Sequence, residues 1–278
     1  MKWLVRTLVI ILVLAAAPMS AQSPVSPTTP LAIGETFTIQ SKVVGEQRRI
    51  NVYLPDAYTA TPTTRLPVLY MPDGGIAEDF LHVAGLLQVL IGNESMRPFI
   101  LVGIENTQRR RDLTGPTMNA EDKKIAPKVG ESAAFRAFIR TELMPAITAR
   151  YRTTSETAII GESLAGLFVV ETLLVEPSLF NTYIAFDPSV WWNDGGLVKT
   201  APAQLRAIGN QKKTLYVAGS SDDRGDMLKA FAAVLKQSAP PSLSWHYQPM
   251  LEETHATIYH PAALQALRRL FKPAERQP

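Results

Sequence analysis

The pattern of hydrophobic and polar positions changes once along the chain. Two early segments, Glu35 to Val44 and Arg48 to Leu54, alternate apolar and polar side chains, which is typical of half-buried strands. A turn at Gly45-Glu46 separates them, so they are predicted to form an antiparallel hairpin at one edge of a sheet. From Leu66 onward the apolar runs are short and continuous, which indicates strands that are buried on both faces.

Strands of this second kind alternate with helical patterns over the rest of the chain. The predicted strands are Leu66 to Met71, Phe99 to Asn106, Thr157 to Ile160, Thr182 to Asp187, Thr214 to Gly219 and Leu243 to Met250. The predicted helices are Ala77 to Leu90, Ser132 to Tyr151, the segment after Gly166, Gly225 to Gln237 and Pro261 to Phe271. This alternation favours a mostly parallel sheet with helices on both faces. The polar segment 107–130 is longer than a connection needs, which favours a functional loop.

The first 21 residues have the pattern of a secretory signal peptide. Lys2 and Arg6 form its positive end, Leu8 to Ala17 its apolar stretch, and Ala21 a cleavage residue. The apolar stretch is shorter than the about 20 residues that a membrane span needs. Residues 22–31 are predicted to be a flexible leader, 32–273 one domain and 274–278 a C-terminal tail. We therefore expect a periplasmic or extracellular protein with no stable membrane anchor after signal cleavage.

Composition excludes several classes of function. The 278 residues, 46% hydrophobic and 19% charged, suit one large globular domain. Without residues 1–21 the basic and acidic side chains nearly balance, so the net charge gives no reason to expect a nucleic-acid partner. The absence of cysteine excludes disulfides, a thiol nucleophile, a thiolate metal site and a lipid-modified cysteine. Zinc-protease, phosphate-loop and dinucleotide motifs are also missing, so no metal and no cofactor are expected. The oligomeric state is not predicted.

A serine on a strand-to-helix turn is the candidate centre of chemistry. The β-branched run Thr157 to Ile160 leads directly into the sequence GESLAG, residues 161–166, and an apolar helical pattern follows. This layout is that of a nucleophile elbow with Ser163 at its tip. Ala165 stands where the usual motif has glycine, and alanine is the smallest substitute. The alternative interpretation is a serine that only caps a helix, so the decision depends on partners further along the chain.

A serine nucleophile needs an imidazole to take its proton and a carboxylate to orient that imidazole. Of the four histidines, His82 lies in a predicted helix, His246 in a predicted strand and His260 directly before a predicted helix. His255 lies in the loop between the last strand and the last helix, which is the expected position of the base.

The acid is expected in the loop that follows the strand Thr214 to Gly219. Asp222 is the first choice there, and three alternatives stay open: Asp223, Asp226 and Glu253. An oxyanion hole of two backbone N–H groups is also required. We expect one from Leu164, directly after the nucleophile, and the other from Gly75, in the turn after the first buried strand.

These residues resemble the putative-esterase family of α/β-hydrolases, and in particular its enterochelin (siderophore) esterase-like branch, which is related to esterase D and the feruloyl esterases. The similar segments span nearly the whole mature chain in the family's order: 66–75, 102–117, 138–153, 159–168, 186–192 and 252–257. The resemblance implies the α/β-hydrolase fold, with Ser163 as nucleophile and His255 as base. It also implies that Arg111 and Asp112 form a substrate-binding pair beside the site and that Trp192 binds substrate as an aromatic residue of the cleft wall.

The sequence departs from the family at two positions next to the nucleophile. Members often have histidine where Glu162 stands and glycine where Ala165 stands.

The predicted function is an exported serine carboxyl-ester hydrolase that acts through an acyl-enzyme on small polar esters, with siderophore-like esters as candidates. The alternatives are an acyltransferase that uses the same triad and a secreted binding protein without catalytic activity.

Overall fold

The computed structural model describes residues 28–273. The predicted signal peptide, residues 22–27 of the predicted leader and the predicted tail 274–278 therefore lie outside the described residues. One compact unit, which begins at Ile33, contains all the helices and strands described below, whereas residues 28–32 contain neither. Within residues 28–273, no helix has the length and apolar character needed to cross a membrane.

Eight strands form one sheet in the order β1-β2-β4-β3-β5-β6-β7-β8. Their bounds are β1 Glu35–Gln40, β2 Gln47–Tyr53, β3 Leu66–Pro72, β4 Ile100–Ile104, β5 Thr153–Glu162, β6 Thr182–Phe186, β7 Lys213–Gly219 and β8 Leu243–Pro249. Strand β2 is antiparallel to both of its neighbours, β1 and β4, and all other pairs are parallel. The predicted fold class, a mostly parallel sheet with an antiparallel N-terminal hairpin at its edge, is confirmed.

Helices connect the parallel strands. Their bounds are α1 Asp56–Ala60, α2 Phe80–Gly92, α3 Arg109–Asp112, α4 Ser132–Phe138, α5 Met144–Arg150, α6 Leu164–Val175, α7 Trp192–Ala207, α8 Met227–Ser238 and α9 Tyr259–Leu270. A π-helical turn, Ile139–Leu143, joins α4 to α5 and ends two residues before Pro145, which has no N–H to donate to an α-helical ladder. Helix α7 was not predicted, because it is interrupted at 193–195 by left-handed backbone and contains Pro202.

The sheet separates two hydrophobic cores. Along β3, Val68 and Tyr70 belong to one core, while Leu69 and Met71 belong to the other. All four side chains are almost completely buried. Because successive side chains of a strand point to opposite faces, this division shows that helices cover both faces of the sheet. The carboxyl ends of the strands, where the connecting loops carry the candidate site, are thereby held in fixed positions.

A buried network of charged side chains ties the segment after β4 to the N-terminal hairpin. Arg48 is fully buried, and its Nη1 lies 2.6 Å from Asp112 Oδ2 and 2.8 Å from Glu46 Oε1. Arg111 binds the same two carboxylates, each at 2.6 Å. Burial raises the pKa of Glu46, but the hydrogen bonds from Arg111, Thr107 and Arg48 outweigh it and lower this pKa to about 2. Glu46 is therefore ionised at neutral pH.

Replacing Asp112 with alanine is expected to destabilise the fold strongly. Arg48 and Arg111 would lose the carboxylate that both of them bind, at a site where Asp112 is 1% exposed. Removing one partner of a buried ion pair typically costs about 3–5 kcal/mol, because the remaining charge is left uncompensated. Urea unfolding at neutral pH would measure the loss.

The matched control is Glu121→Ala, because Glu121 forms an ion pair with Lys124 in which both side chains are more than two-thirds exposed. An exposed pair contributes about 0–1 kcal/mol, so this variant should unfold like the unsubstituted chain. Equal unfolding free energies for the two variants would show that the buried network contributes little.

Candidate active site

The predicted nucleophile elbow is present in the structure. Strand β5 ends at Glu162 and helix α6 begins at Leu164, with Ser163 between them at φ 60° and ψ −120°. A residue with a side chain rarely adopts such angles, and they persist only where the surroundings fix them. Here the N–H of Ser163 donates to the Phe186 carbonyl at 3.0 Å, and the carbonyl of Ser163 accepts N–H groups from Leu167 and Ser189. These bonds hold the serine side chain at the tip of the turn.

The small residues around Ser163 are required by close backbone contacts. A Cβ atom on Gly161 would lie 2.7 Å from the Cβ atom of Ala165, and one on Gly166 would lie 2.9 Å from the Phe186 carbonyl oxygen. Such separations are too short for real side chains. Ala165 is completely buried and fits because Gly161 faces it without a side chain. The elbow therefore accepts alanine in place of the last glycine of the usual motif.

His255 connects the serine to a carboxylate. Its Nε2 lies 3.0 Å from Ser163 Oγ and its Nδ1 lies 3.1 Å from Asp187 Oδ2. Asp187 follows β6 directly and also accepts the backbone N–H of Ser220 at 2.6 Å and the Ser220 hydroxyl at 2.5 Å. With Asp187 ionised, Nδ1 carries the proton and the lone pair of Nε2 faces the serine hydroxyl. This is the arrangement of an acid, a base and a nucleophile.

Electrostatics support these protonation states. The hydrogen bond that His255 donates to Asp187 raises the pKa of His255 above its ordinary value, although burial opposes this shift. Burial raises the pKa of Asp187, but hydrogen bonds from His255 and Ser220 outweigh it and lower the pKa overall. Asp187 is therefore a carboxylate at neutral pH. The His255 side chain is 47% exposed, so the ring is accessible from solvent.

The expectation that Asp222 orients the imidazole is corrected by this geometry. Asp222 Oδ2 accepts the backbone N–H of His255 at 2.8 Å, whereas the ring nitrogen contacts Asp187. Two of the alternatives also have other partners: Asp223 accepts N–H groups at the start of α8, and Asp226 binds Lys229. The sequence signal for Asp187 is its position directly after a buried strand beside β5, since carboxyl ends of parallel strands meet at one edge, but this signal does not separate Asp187 from Asp222.

The two residues predicted to supply the oxyanion hole differ in the hydrogen-bond partners of their N–H groups. Leu164 is the first residue of α6, where N–H groups have no carbonyl partner within the helix. The N–H of Gly75 donates to Glu78 Oε2 at 2.7 Å. In this structure the Gly75 N–H is thus bound to a carboxylate three residues further on, and the role of Gly75 as an oxyanion donor stays a prediction.

The three residues implied as substrate contacts are buried. Arg111 and Asp112 belong to the ion network and are 5% and 1% exposed, so the interpretation that they contact a substrate is corrected. Trp192 is 4% exposed, and its Nε1–H donates to the Gly115 carbonyl at 2.8 Å. Its neighbour Trp191 instead lines a recess beside His255 and Asp187. The guanidinium of Arg224 lies 4.3 Å from the centre of the Trp191 ring.

The remaining histidines and a second cavity lie apart from this constellation. His82 Nε2 is 3.0 Å from His260 Nδ1, and the ring of His246 packs on Tyr216. His246 and Tyr216 also line a cavity of about 700 Å³ with three basic side chains of the C-terminal segment, Arg268, Arg269 and Lys272. This cavity is larger than the recess at Trp191, but Ser163, His255 and Asp187 are not among its lining residues. We therefore assign the candidate site by the geometry of the three groups and not by cavity size.

The sheet order and the serine elbow define an α/β-hydrolase. The pattern of the Putative esterase family matches residues 41–252, about three quarters of the chain, and the chain belongs to that family. Siderophore and enterochelin esterases are among the proteins to which it is similar, in agreement with the sequence-based expectation. The match ends three residues before His255, so the position of this histidine rests on the structure.

Two individual relatives illustrate this similarity. The chain is 30% identical over 174 residues to the ferri-bacillibactin esterase BesA of Bacillus subtilis, covering 55% of this chain and 58% of the relative. It is 25% identical over 241 residues to the iron(III) salmochelin esterase of Escherichia coli, covering 81% of this chain and 53% of the relative. The chain thus spans somewhat more than half the length of these curated relatives.

Among solved structures, an IroE-like serine hydrolase from Shewanella oneidensis superposes with a TM-score of 0.79 and 28% identity. The superposition covers 86% of this chain and 80% of that one. The siderophore hydrolase EstB from Aspergillus nidulans superposes with a TM-score of 0.71 at 23% identity, covering 89% and 98% of the two chains, which supports the shared fold.

Proposed function

We propose that this protein is a serine carboxyl-ester hydrolase in which Ser163 is the nucleophile, His255 the general base and Asp187 the orienting acid. The observation that carries the proposal is the continuous chain of contacts from Asp187 through both nitrogens of His255 to Ser163 Oγ, at 3.1 and 3.0 Å. A serine that only caps a helix has no need of an oriented imidazole. The strained backbone angles of Ser163 point in the same direction.

In the proposed mechanism, His255 Nε2 takes the hydroxyl proton while Ser163 Oγ attacks the ester carbonyl. Asp187 stabilises the imidazolium that forms, and the imidazolium then gives its proton to the departing alcohol. The acyl group remains on Ser163 until a water molecule, activated in the same way, releases it. The N–H of Leu164 is the proposed first donor to the developing oxyanion, and the N–H of Gly75 becomes the second when the Glu78 carboxylate leaves it.

The proposed substrates are small polar esters of the siderophore type. The supporting observation is the set of relatives, whose names describe esterases of bacillibactin, salmochelin and triacetylfusarinine C. The recess beside His255 offers the flat face of Trp191 and the charge of Arg224, both of which suit a planar polar group. We also propose export to the periplasm or medium, on the basis of the signal-peptide pattern in residues 1–21.

The test is covalent labelling with a fluorophosphonate, followed by peptide mass spectrometry, beside hydrolysis of p-nitrophenyl butyrate and a cyclic serine triester. We expect one label per chain on the peptide that contains Ser163, and less labelling when an ester substrate is present, because both compete for the same oxygen. The heat-unfolded chain is the control and should not be labelled. Absence of both labelling and hydrolysis in the folded protein would overturn the proposed activity.

A further inference from the structure

A second carboxyl group lies beside the nitrogen that faces the nucleophile. Glu162 Oε1 is 3.2 Å from His255 Nε2, the atom that is also 3.0 Å from Ser163 Oγ. This oxygen is buried and makes no hydrogen bond to any residue that the structure describes. His255 Nε2 either carries a proton or has a free lone pair that can accept one. Glu162 and Ser163 therefore face a single proton-binding position from two sides.

The charges around this position are mostly negative. Asp187, at the end of β6, contacts the other ring nitrogen, and Asp222, after β7, contacts the backbone of His255. Asp73, after β3, and Arg109, after β4, act on Glu162. The Arg109 guanidinium donates to both carboxylate oxygens of Asp73 at 2.8 Å. The negative charge of Asp73 therefore largely offsets the attraction between Arg109 and Glu162. The charge that remains unbalanced near Nε2 favours a bound proton.

We propose that Glu162 competes with Ser163 for His255 Nε2, so that this carboxyl group sets the pH above which the nucleophile becomes active. The inference rests on the proposed function, because it assigns a regulating partner to the same base. When the pair of Glu162 and His255 holds one proton, either the imidazolium pairs with the carboxylate or the carboxylic acid donates to Nε2. In both forms Nε2 cannot accept the serine proton. Only loss of this shared proton frees the lone pair for Ser163.

The direction of the pH effect follows from the charges. Burial raises the pKa of Glu162 to about 7, although His255 and Arg109 act against the shift. The carboxylate of Glu162 in turn contributes to the raised pKa of His255, after the larger effect of the Asp187 hydrogen bond. Removing the Glu162 charge should therefore lower the pKa of His255. A lower pKa means that the free base persists to lower pH, so the acid limb of the rate profile should move downward.

Glu162→Gln and Glu162→Ala test this inference in profiles of kcat/KM against pH for p-nitrophenyl butyrate. We expect the acid limb of both variants to move to lower pH by about 0.5 unit or more, with the rate above pH 8 kept to within about tenfold. The alanine variant is needed because a glutamine amide can still donate to Nε2. Glu156→Gln is the control, since Glu156 lies on the same strand but pairs with Arg97. This control should keep the original limb.

Histidine ring ¹⁵N shifts provide a second measurement that needs no turnover. The His255 signal, assigned with His255→Gln, should titrate at lower pH in both Glu162 variants than in the unsubstituted chain. If the chain hydrolyses no ester but the ring titration still shifts, the competition for Nε2 is supported and only the proposed function fails. An unchanged limb together with an unchanged ring titration would overturn the inference. Loss of activity at every pH with an unchanged ring titration would overturn it as well.

Discussion

Replacing Ser163 with alanine is expected to lower kcat on the order of 10⁶-fold, and His255→Ala should have a similar effect. The first change removes the attacking oxygen and the second removes the group that takes its proton. The two atoms concerned, Ser163 Oγ and His255 Nε2, are 3.0 Å apart. Because the residues act as a unit, the double variant should lose hardly more than either single variant. Steady-state hydrolysis of p-nitrophenyl butyrate would measure all three, with residual rates above that in water due to the oxyanion donors and substrate binding.

The control for His255 is His260→Ala. His260 is an exposed histidine at the start of α9, and its ring contacts His82 and not Ser163. This variant should hydrolyse the ester at the original rate. If Ser163→Ala kept more than about 1% of the original rate, another group would be the nucleophile and the proposed mechanism would be wrong.

A second large effect should distinguish Asp187 from Asp222. Asp187→Asn is expected to lower kcat by about 10⁴-fold, because an amide no longer fixes the proton on His255 Nδ1 or stabilises the imidazolium. Asp222→Asn should cost no more than about tenfold, because its oxygen accepts only the backbone N–H of His255 and an amide oxygen can replace it. The same ester assay measures both variants, and circular dichroism confirms that both are folded.

These two aspartates form a matched pair, since both belong to loops at the same edge of the sheet and both bind His255. If the losses were reversed, Asp222 would be the orienting acid in solution and the loop that carries His255 would have to turn. If both losses were small, the site would work as a dyad of Ser163 and His255.

Much of the site could be predicted because each signal was local. Ser163 lies within a strand–turn–helix sequence whose glycines are explained by contacts below 3 Å, and the apolar runs on either side indicate the elements directly. His255 could be selected because it lies within the loop between the last strand and the last helix, whereas His260 directly precedes that helix and His82 and His246 lie in predicted elements. Both inferences used neighbouring residues and the usual order of elements along the chain.

The acid could not be selected because two strand ends offer carboxylates to one imidazole. Strands β6 and β7 are adjacent, and the loops after them provide Asp187 and Asp222. The side-chain direction depends on backbone angles, and Asp187 adopts φ 39°, an unusual value that the sequence does not indicate. The register between the two strands, and not the order of residues, decides which carboxylate meets the ring.

Arg111 and Asp112 show a second limit of prediction from the sequence. In sequence they are charged residues in a polar loop, and charged residues near a site suggest contact with substrate. Their partners, Arg48 and Glu46, lie more than 60 residues earlier in the hairpin. Only the folded chain brings these four charges together and buries them. Charged side chains that neutralise one another from distant positions in the sequence leave no pattern among neighbouring residues.

The contact between Glu78 and the Gly75 N–H has a consequence for the end of a catalytic cycle. Hydrolysis of a neutral ester produces a carboxylic acid that ionises in the site, where Glu78, Glu162 and Asp187 already supply carboxyl groups. Once the tetrahedral oxyanion has collapsed, Glu78 can return to the Gly75 N–H and take the place of the product oxygen. In the proposed mechanism these carboxyl groups would repel the acidic product, so we expect inhibition by accumulated acid to be weak.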